Sequence, residues 1–202
     1  MNNRKFLIVT MREDYISKRK EYRSSIDKNL IRWIQKIGYD PLLISVNKNL
    51  NLKLIFGKIK IKGIIISGGN EINRKSDRYA IEKKILKYSI KFKLPVLGIC
   101  HGMQMMSDIE GGDLKRTKHE INKFYYLLNK SDKYAFPKKV KCYHNYTIKR
   151  LSKNFDVLCT CKNGSIEAIS HKKFKWLGWM FHPEREKNFD KKLLKTIKKC
   201  FK

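Results

Sequence analysis

Cys100 lies between two glycines in Pro95-Val96-Leu97-Gly98-Ile99-Cys100-His101-Gly102-Met103-Gln104, where an apolar run ends and a helical pattern begins. This is the layout of a nucleophile elbow with sulfur in place of the usual oxygen. The glycines allow a sharp strand-to-helix turn. A thiol at a helix N-terminus sits in a field that favours the thiolate, its reactive form. A second segment, Trp179-Met180-Phe181-His182-Pro183-Glu184, ends an apolar run in a base and a carboxylate. A thiol nucleophile needs a base, and the base needs an acceptor to hold its tautomer; His182 and Glu184 supply both, with Pro183 stiffening the link. A third, Gly63-Ile64-Ile65-Ile66-Ser67-Gly68-Gly69-Asn70-Glu71, opens a buried-strand pattern into a double glycine whose backbone N–H groups can approach a substrate oxygen. Each piece alone also fits a bland reading: a buried thiol, a surface turn, an ordinary loop. Together they describe attack of an activated thiol on a carbonyl.

The order of these segments resembles the class I glutamine amidotransferase superfamily, and within it the γ-glutamyl hydrolase branch, peptidase family C26. The matching residues are Ile8-Val9-Thr10-Met11-Arg12, Ser67 to Glu71, Arg78 and Glu82, the Cys100 elbow, Gly111-Gly112, Ser165-Ile166-Glu167-Ala168 and His182-Pro183-Glu184. The resemblance implies a flavodoxin-like three-layer fold, a mainly parallel sheet flanked by helices with an antiparallel strand region toward the C-terminus. It implies a Cys100–His182–Glu184 triad, an oxyanion hole from the N–H groups of Gly69 and His101, and no cofactor. Gly68, Asn70, Gln104 and His144 are the expected substrate contacts; Gln104 reads equally well as an exposed helix residue. The implied reaction is hydrolysis of a γ-glutamyl amide through a thioester. The branch includes a hydrolase of γ-glutamyl-CDP-amidate in capsule phosphoramidate synthesis, so a nucleotide-linked anionic substrate is one expectation. Alternatives are a glutaminase subunit that hands ammonia to a synthase partner, and a non-catalytic basic binding protein on the same fold. Val140 to Asn145 resembles the family segment that lines the substrate pocket, but Lys141, Cys142, Asn145 and Tyr146 depart from its usual pattern, which leaves the substrate's identity open.

The elements that must position these residues alternate. Strand patterns cover Lys5 to Thr10, Pro41 to Val46, Ile61 to Ser67 and Val96 to Ile99. Helical patterns cover Tyr22 to Ile37, with Ile26, Leu30, Ile34 and Ile37 on one face before Gly38, and Ser76 to Phe92, with Ser76 as N-cap. Such βαβ alternation predicts a parallel sheet with helices on both faces. After Gly112, strands are expected at Lys139 to Lys149, Phe155 to Cys161, Ser165 to Ser170 and Trp176 to Phe181, with a hairpin turn at Asn163-Gly164, and a closing helix from Phe189 to Phe201.

The 202 residues, 42% of them hydrophobic, suit one α/β domain over residues 1–202 and exclude a disordered chain. No apolar run approaches the roughly 18 residues needed to span a membrane. No signal-peptide stretch follows Met1 to Lys5, and the five cysteines lack a disulfide framework, so a reducing cytoplasm is expected. The net charge of +29 is spread along the chain without a nucleic-acid-binding motif, so it predicts attraction of an anionic small molecule more than specific nucleic-acid binding. Cys159-Thr160-Cys161 and Cys142-x-His144 contain metal-ligand types, but their spacing is not that of structural zinc sites, and no metal is expected. His119 and His171 lie in Lys-rich stretches and read as solvated.

Overall fold

Strand periodicity sorts the apolar residues of the first half onto two faces. In the first strand Leu7 and Val9 pack into one buried cluster and Ile8 into the other. Residues 61–66 repeat this, with Ile65 on the first side and Ile64 and Ile66 on the second. The computed structural model describes residues 5–201, and the reading of residues 1–4 as a leader-free start lies outside them. In chain order the elements are β1 (Phe6–Thr10), β2 (Arg12–Ile16), β3 (Glu21–Ser25), α1 (Lys28–Lys36), β4 (Asp40–Ile44), α2 (Leu52–Lys58), β5 (Ile61–Ile66), α3 (Asp77–Lys91), β6 (Val96–Ile99), α4 (His101–Ile109) and β7 (Asp113–Arg116). They continue with β8 (Phe124–Asn129), β9 (Lys139–Lys141), β10 (Tyr146–Arg150), β11 (Phe155–Cys161), β12 (Ile166–His171), β13 (Trp176–Trp179) and α5 (Lys191–Cys200).

Nine strands form one sheet in the order β4-β1-β5-β6-β13-β12-β11-β8-β9. From β4 to β13 neighbours are parallel; from β13 to β9 they are antiparallel. Trp33 and Ile34 of α1 and Leu193 and Ile197 of α5 close one face. Ile81 and Ile85 of α3 and Met103 and Met106 of α4 close the other. This is the expected three-layer α/β fold. Ser76 caps α3 by accepting from the Tyr79 N–H, and Asp27 and Asp190 cap α1 and α5 in the same way. Gly164 takes the left-handed conformation (φ 83°) in the turn between β11 and β12.

Two expected elements are corrected. Tyr22 to Ile37 is not one helix: Glu21–Ser25 pairs antiparallel with Arg12–Ile16, and the helix starts only at Lys28, after the Asp27 cap. Lys139 to Lys149 is not one strand: β9 pairs with β8 and β10 with β7, in different sheets, and residues 142–145 form the loop between them. All five cysteines are free thiols. Among the described residues no helix is long and apolar enough to cross a membrane.

Candidate active site

The elbow exists because two backbones nearly touch. A Cβ on Gly98 would fall 2.5 Å from the carbonyl carbon of Gly102, and one on Gly102 would fall 2.3 Å from the carbonyl oxygen of Ile66. Only glycine fits at either place. The turn holds Cys100 at φ 51°, ψ −100°, a conformation that costs free energy in a residue with a Cβ. Its N–H donates to the Trp179 carbonyl at 2.7 Å, and its side chain, 6% exposed, stands at the N-terminus of α4.

That hydrogen bond also brings His182 to Cys100. β13 lies parallel to β6 with Trp179 opposite Ile99, so the chain leaving β13 runs beside the elbow. A short 3-10 turn at Pro183–Arg185 folds Glu184 back, and His182 Nδ1 meets Glu184 Oε1 at 2.6 Å, both side chains buried. Burial opposes a charge on the imidazole. The Glu184 carboxylate and hydrogen bonds to Cys100 and Glu184 outweigh that penalty and push its pKa up to about 9. The ring is further fixed by the Gly68 backbone, where a Cβ would come 2.4 Å from its Cε1, and by the edge of Tyr143 at 5.6 Å between centroids. The fold pairs His182 with Glu184 and brings them to the strand beside the Cys100 elbow.

The two segments expected to stabilise an oxyanion are tied together by a buried network. His101 Nδ1 faces the Asn70 carbonyl at 2.9 Å, and its Nε2 faces Glu82 Oε2 at 2.7 Å. The ring thus bridges the Asn70 carbonyl and the Glu82 carboxylate. Glu82 also accepts from Thr10 Oγ1 (2.9 Å) and Arg78 Nε (2.9 Å). Complete burial alone would raise the Glu82 pKa; His101 and Arg78 outweigh it and hold the carboxyl down at about 2. Arg78 reaches onward to the Ser67 carbonyl (2.7 Å) and Asn70 Oδ1 (3.0 Å). One carboxylate thus locks the start of α4 to the Ser67–Asn70 loop, in which Gly69 needs its left-handed φ of 109°.

The expected substrate contacts divide. Gly68 lies against His182. Asn70 is spent on protein: its Oδ1 accepts from Glu13 N–H at 2.9 Å and its Nδ2 donates to the Glu13 carbonyl at 2.6 Å, which fastens the β2–β3 hairpin. Gln104 is buried, not an exposed helix residue, and donates to the Tyr146 carbonyl at 2.8 Å. His144 bonds the same carbonyl through Nδ1 at 2.9 Å, and burial lowers its pKa to about 4. The two thus brace the loop that carries Tyr143. His119 and His171 are both buried, against expectation. The first stacks on Tyr125 with centroids 3.8 Å apart; the second accepts from the Lys173 and Phe174 N–H groups.

A cavity of about 260 Å³ reaches the site from the His182–Glu184 side, walled by Arg12, Ser25, Asp27, Gly68, Gly69 and Arg185. Sequence reasoning missed the hairpin wall, because a helix was expected where β3 runs; Arg12 was the one signal for it. Arg185 lies over the Tyr143 ring at 4.6 Å.

Comparison with known proteins shows what the chain as a whole is similar to. The family described as glutamine amidotransferase class-I matches residues 20–199. A γ-glutamyl-CDP-amidate hydrolase of Campylobacter jejuni is 30% identical over 157 residues, covering 74% of this chain and 73% of that protein. One subunit of the glutamine-hydrolysing GMP synthase of Methanococcus aeolicus is 32% identical over 130 residues, 62% of this chain and 65% of that one. The chain spans only 24% to 34% of the longer GMP synthases it matches. A crystal structure of a glutamine amidotransferase from Thermotoga maritima superposes with a TM-score of 0.65 at 16% identity, over 91% of this chain and 77% of that one.

Proposed function

This chain belongs to the glutamine amidotransferase class-I family, and on that footing we propose that it hydrolyses a γ-glutamyl amide through a thioester on Cys100. The observation that carries the reading is His182, brought beside the Cys100 elbow by the pairing of β13 with β6 and hydrogen-bonded at 2.6 Å to Glu184. The Cys100 thiolate attacks the γ-carbonyl, and the oxyanion is received by the N–H groups of Gly69 and His101. His182 gives its proton to the leaving nitrogen, and the C–N bond breaks. His182 then takes a proton from water, hydroxide attacks the thioester, and glutamate leaves as the thiol re-forms. Glu184 keeps the imidazole oriented and stabilises its charged form. Gly68 lines the pocket, and Gln104 and His144 brace the loop that carries Tyr143.

The proposed substrate is γ-glutamyl-CDP-amidate, in the assembly of a surface polysaccharide. The C. jejuni relative supports this, as does the net charge of +29. A glutaminase subunit that hands ammonia to a synthase is the second reading, favoured by the similarity to the M. aeolicus protein. Incubating the purified protein alone with γ-glutamyl-CDP-amidate and with glutamine separates them. Free glutamate from the conjugate without a partner supports the hydrolase; glutaminase activity that appears only when a synthase is added selects the second reading. For the hydrolase, kcat/KM with the nucleotide substrate falls as salt screens the field over about 8 Å at physiological ionic strength, while kcat holds. A salt profile as flat as that of a phosphate-free γ-glutamyl amide removes the basic surface from substrate capture.

Glu184→Gln tests the orienting carboxylate. We expect kcat to fall by roughly 10²- to 10⁴-fold with KM little changed. The same variant alters stability against pH. A histidine raised from its ordinary 6.5 to about 9 contributes stability that is complete below 6.5 and lost as pH climbs through 9. Wild-type protein should therefore lose stability across that window, and Glu184→Gln should show a flatter profile in a denaturant series. Wild-type turnover in this variant removes Glu184 from the site.

A further inference from the structure

Beside the proposed reaction centre, a second set of chemically capable side chains converges in the interior. His119, Cys142 and His144 present ligand atoms all within 4.8 Å of one another, and His119, Cys161 and Glu167 form an overlapping set with the same spacing. All five residues are buried. They come from separate segments: His119 from the loop after β7, Cys142 and His144 from the loop after β9, Cys161 from β11 and Glu167 from β12. Spacing along the chain argued against a metal because no segment holds a standard ligand pair; the fold supplies the missing ligand from a distant loop.

We propose that His119, Cys142 and His144 bind a zinc ion, a site independent of the hydrolase reading. Two imidazoles and a thiolate are the donors that zinc takes in tetrahedral sites, and they disfavour calcium or magnesium, which require oxygen. The His144 ring is held as metal-ligating histidines are held. His144 Nδ1 donates to the Tyr146 carbonyl, which leaves Nε2 for a ligand. His119 stacks on the Tyr125 ring, and its Nε2 accepts from the Asn163 amide at 2.6 Å, a lone pair that the ion would take in place of that bond. Glu167 lies next to His119 in the overlapping set. It is a buried carboxylate whose contacts are the Ser165 hydroxyl and the Cys161 thiol, and among the described residues it has no cationic side chain as an ion-pair partner. On binding, the Cys142 thiol loses its proton to solvent and a sulfur–zinc bond forms in place of the Cys142 contact to the His144 carbonyl. The ion would tie the loop after β7 to the loop that presents Tyr143 to His182.

The test uses the full chain, stripped with a chelator and titrated with zinc alone against a chromophoric competitor. The expected result is one zinc per chain, retained by Cys100→Ala and weakened more than about 100-fold by Cys142→Ser, beyond what outer-shell changes cause. His119→Gln is the second variant, and each is checked for a native circular dichroism spectrum before titration. Cobalt in place of zinc should give a thiolate-to-metal absorption band that Cys100→Ala keeps and Cys142→Ser loses. Zinc affinity lost in Cys100→Ala and kept in Cys142→Ser would place the ion on the nucleophile and overturn the proposal. Undiminished binding in folded Cys142→Ser and His119→Gln, or no binding by the wild type, would overturn it equally. None of these readouts depends on turnover, so they stand or fall apart from the hydrolase assignment.

Discussion

Replacing Cys100 with Ala removes turnover while leaving the fold and the cavity intact. The loss should be roughly 10⁴- to 10⁶-fold, the scale seen when a nucleophile is deleted from a preassembled site. The elbow tolerates the change because Ala carries the same Cβ as Cys through the strained turn at φ 51° and adds no bulk. Cys100→Ser fits the space too, yet should be severely impaired, since a hydroxyl gives up its proton far less readily than a thiol. Alkylation gives an independent measure. Burial pushes the Cys142 thiol up to about 11 and Cys159 to about 12, and raises Cys161 and Cys200 as well. Iodoacetamide should therefore modify Cys100 well before the other four. Equal modification of all five in the native protein removes the activated thiol, and with it the proposed reaction.

Glu82→Gln should be the most damaging single change away from the nucleophile. The side chain is 0% exposed and, among the described residues, is the only carboxylate that meets both Arg78 and His101. Losing its charge leaves the buried Arg78 guanidinium facing a neutral amide. Breaking a buried pair in this way costs about 3–5 kcal/mol, which lowers the thermal midpoint of a chain this long by about 10 °C. The acid limb should change as well. A carboxyl held at about 2 against an ordinary value near 4.3 contributes stability that is complete above 4.3 and lost as pH falls toward 2. Glu82→Gln should lack that limb. At a temperature where the variant is still folded, kcat should fall at least about 10-fold, because the Ser67–Asn70 loop and the start of α4 lose their common anchor. A variant as stable as wild type under acid titration refutes the charged network.

What could be read from the sequence is what local geometry dictates. Gly98 and Gly102 announce the elbow because backbones pass within van der Waals contact there, and no other residue fits. His182 and Glu184 are legible together because only a proline separates them. The β2–β3 hairpin was not legible. Arg12–Ile16 and Glu21–Ser25 are polar on both faces, and their turn carries no glycine, so nothing local distinguishes them from the start of α1. Ile26 even extends the helical spacing of Leu30 and Ile34 backwards toward the strand. His119 was misread for a related reason. Its neighbours Lys118 and Glu120 are polar, while Tyr125 and Asn163, which hold the ring, are brought to it by the fold. Gln104 misled because every face of α4 is covered: a helix that starts at the centre of a nine-stranded sheet has almost no outside.

The pairing of β6 with β13 has one more consequence. Cys100 and His182 each leave one of two adjacent strands, and the backbone bond from Cys100 to Trp179 sets their separation. Everything from Glu110 to Lys175 is a detour between those neighbours, and that detour holds the whole antiparallel wing and the loop bearing Tyr143. Its loops can be lengthened or exchanged without moving sulfur relative to imidazole, provided β12 still pairs with β13 and Tyr143 keeps its place beside His182. Insertions there should be tolerated where the same insertion between Trp179 and His182 is not. An architecture of this kind lets the choice of substrate drift while the bond-breaking centre stays put.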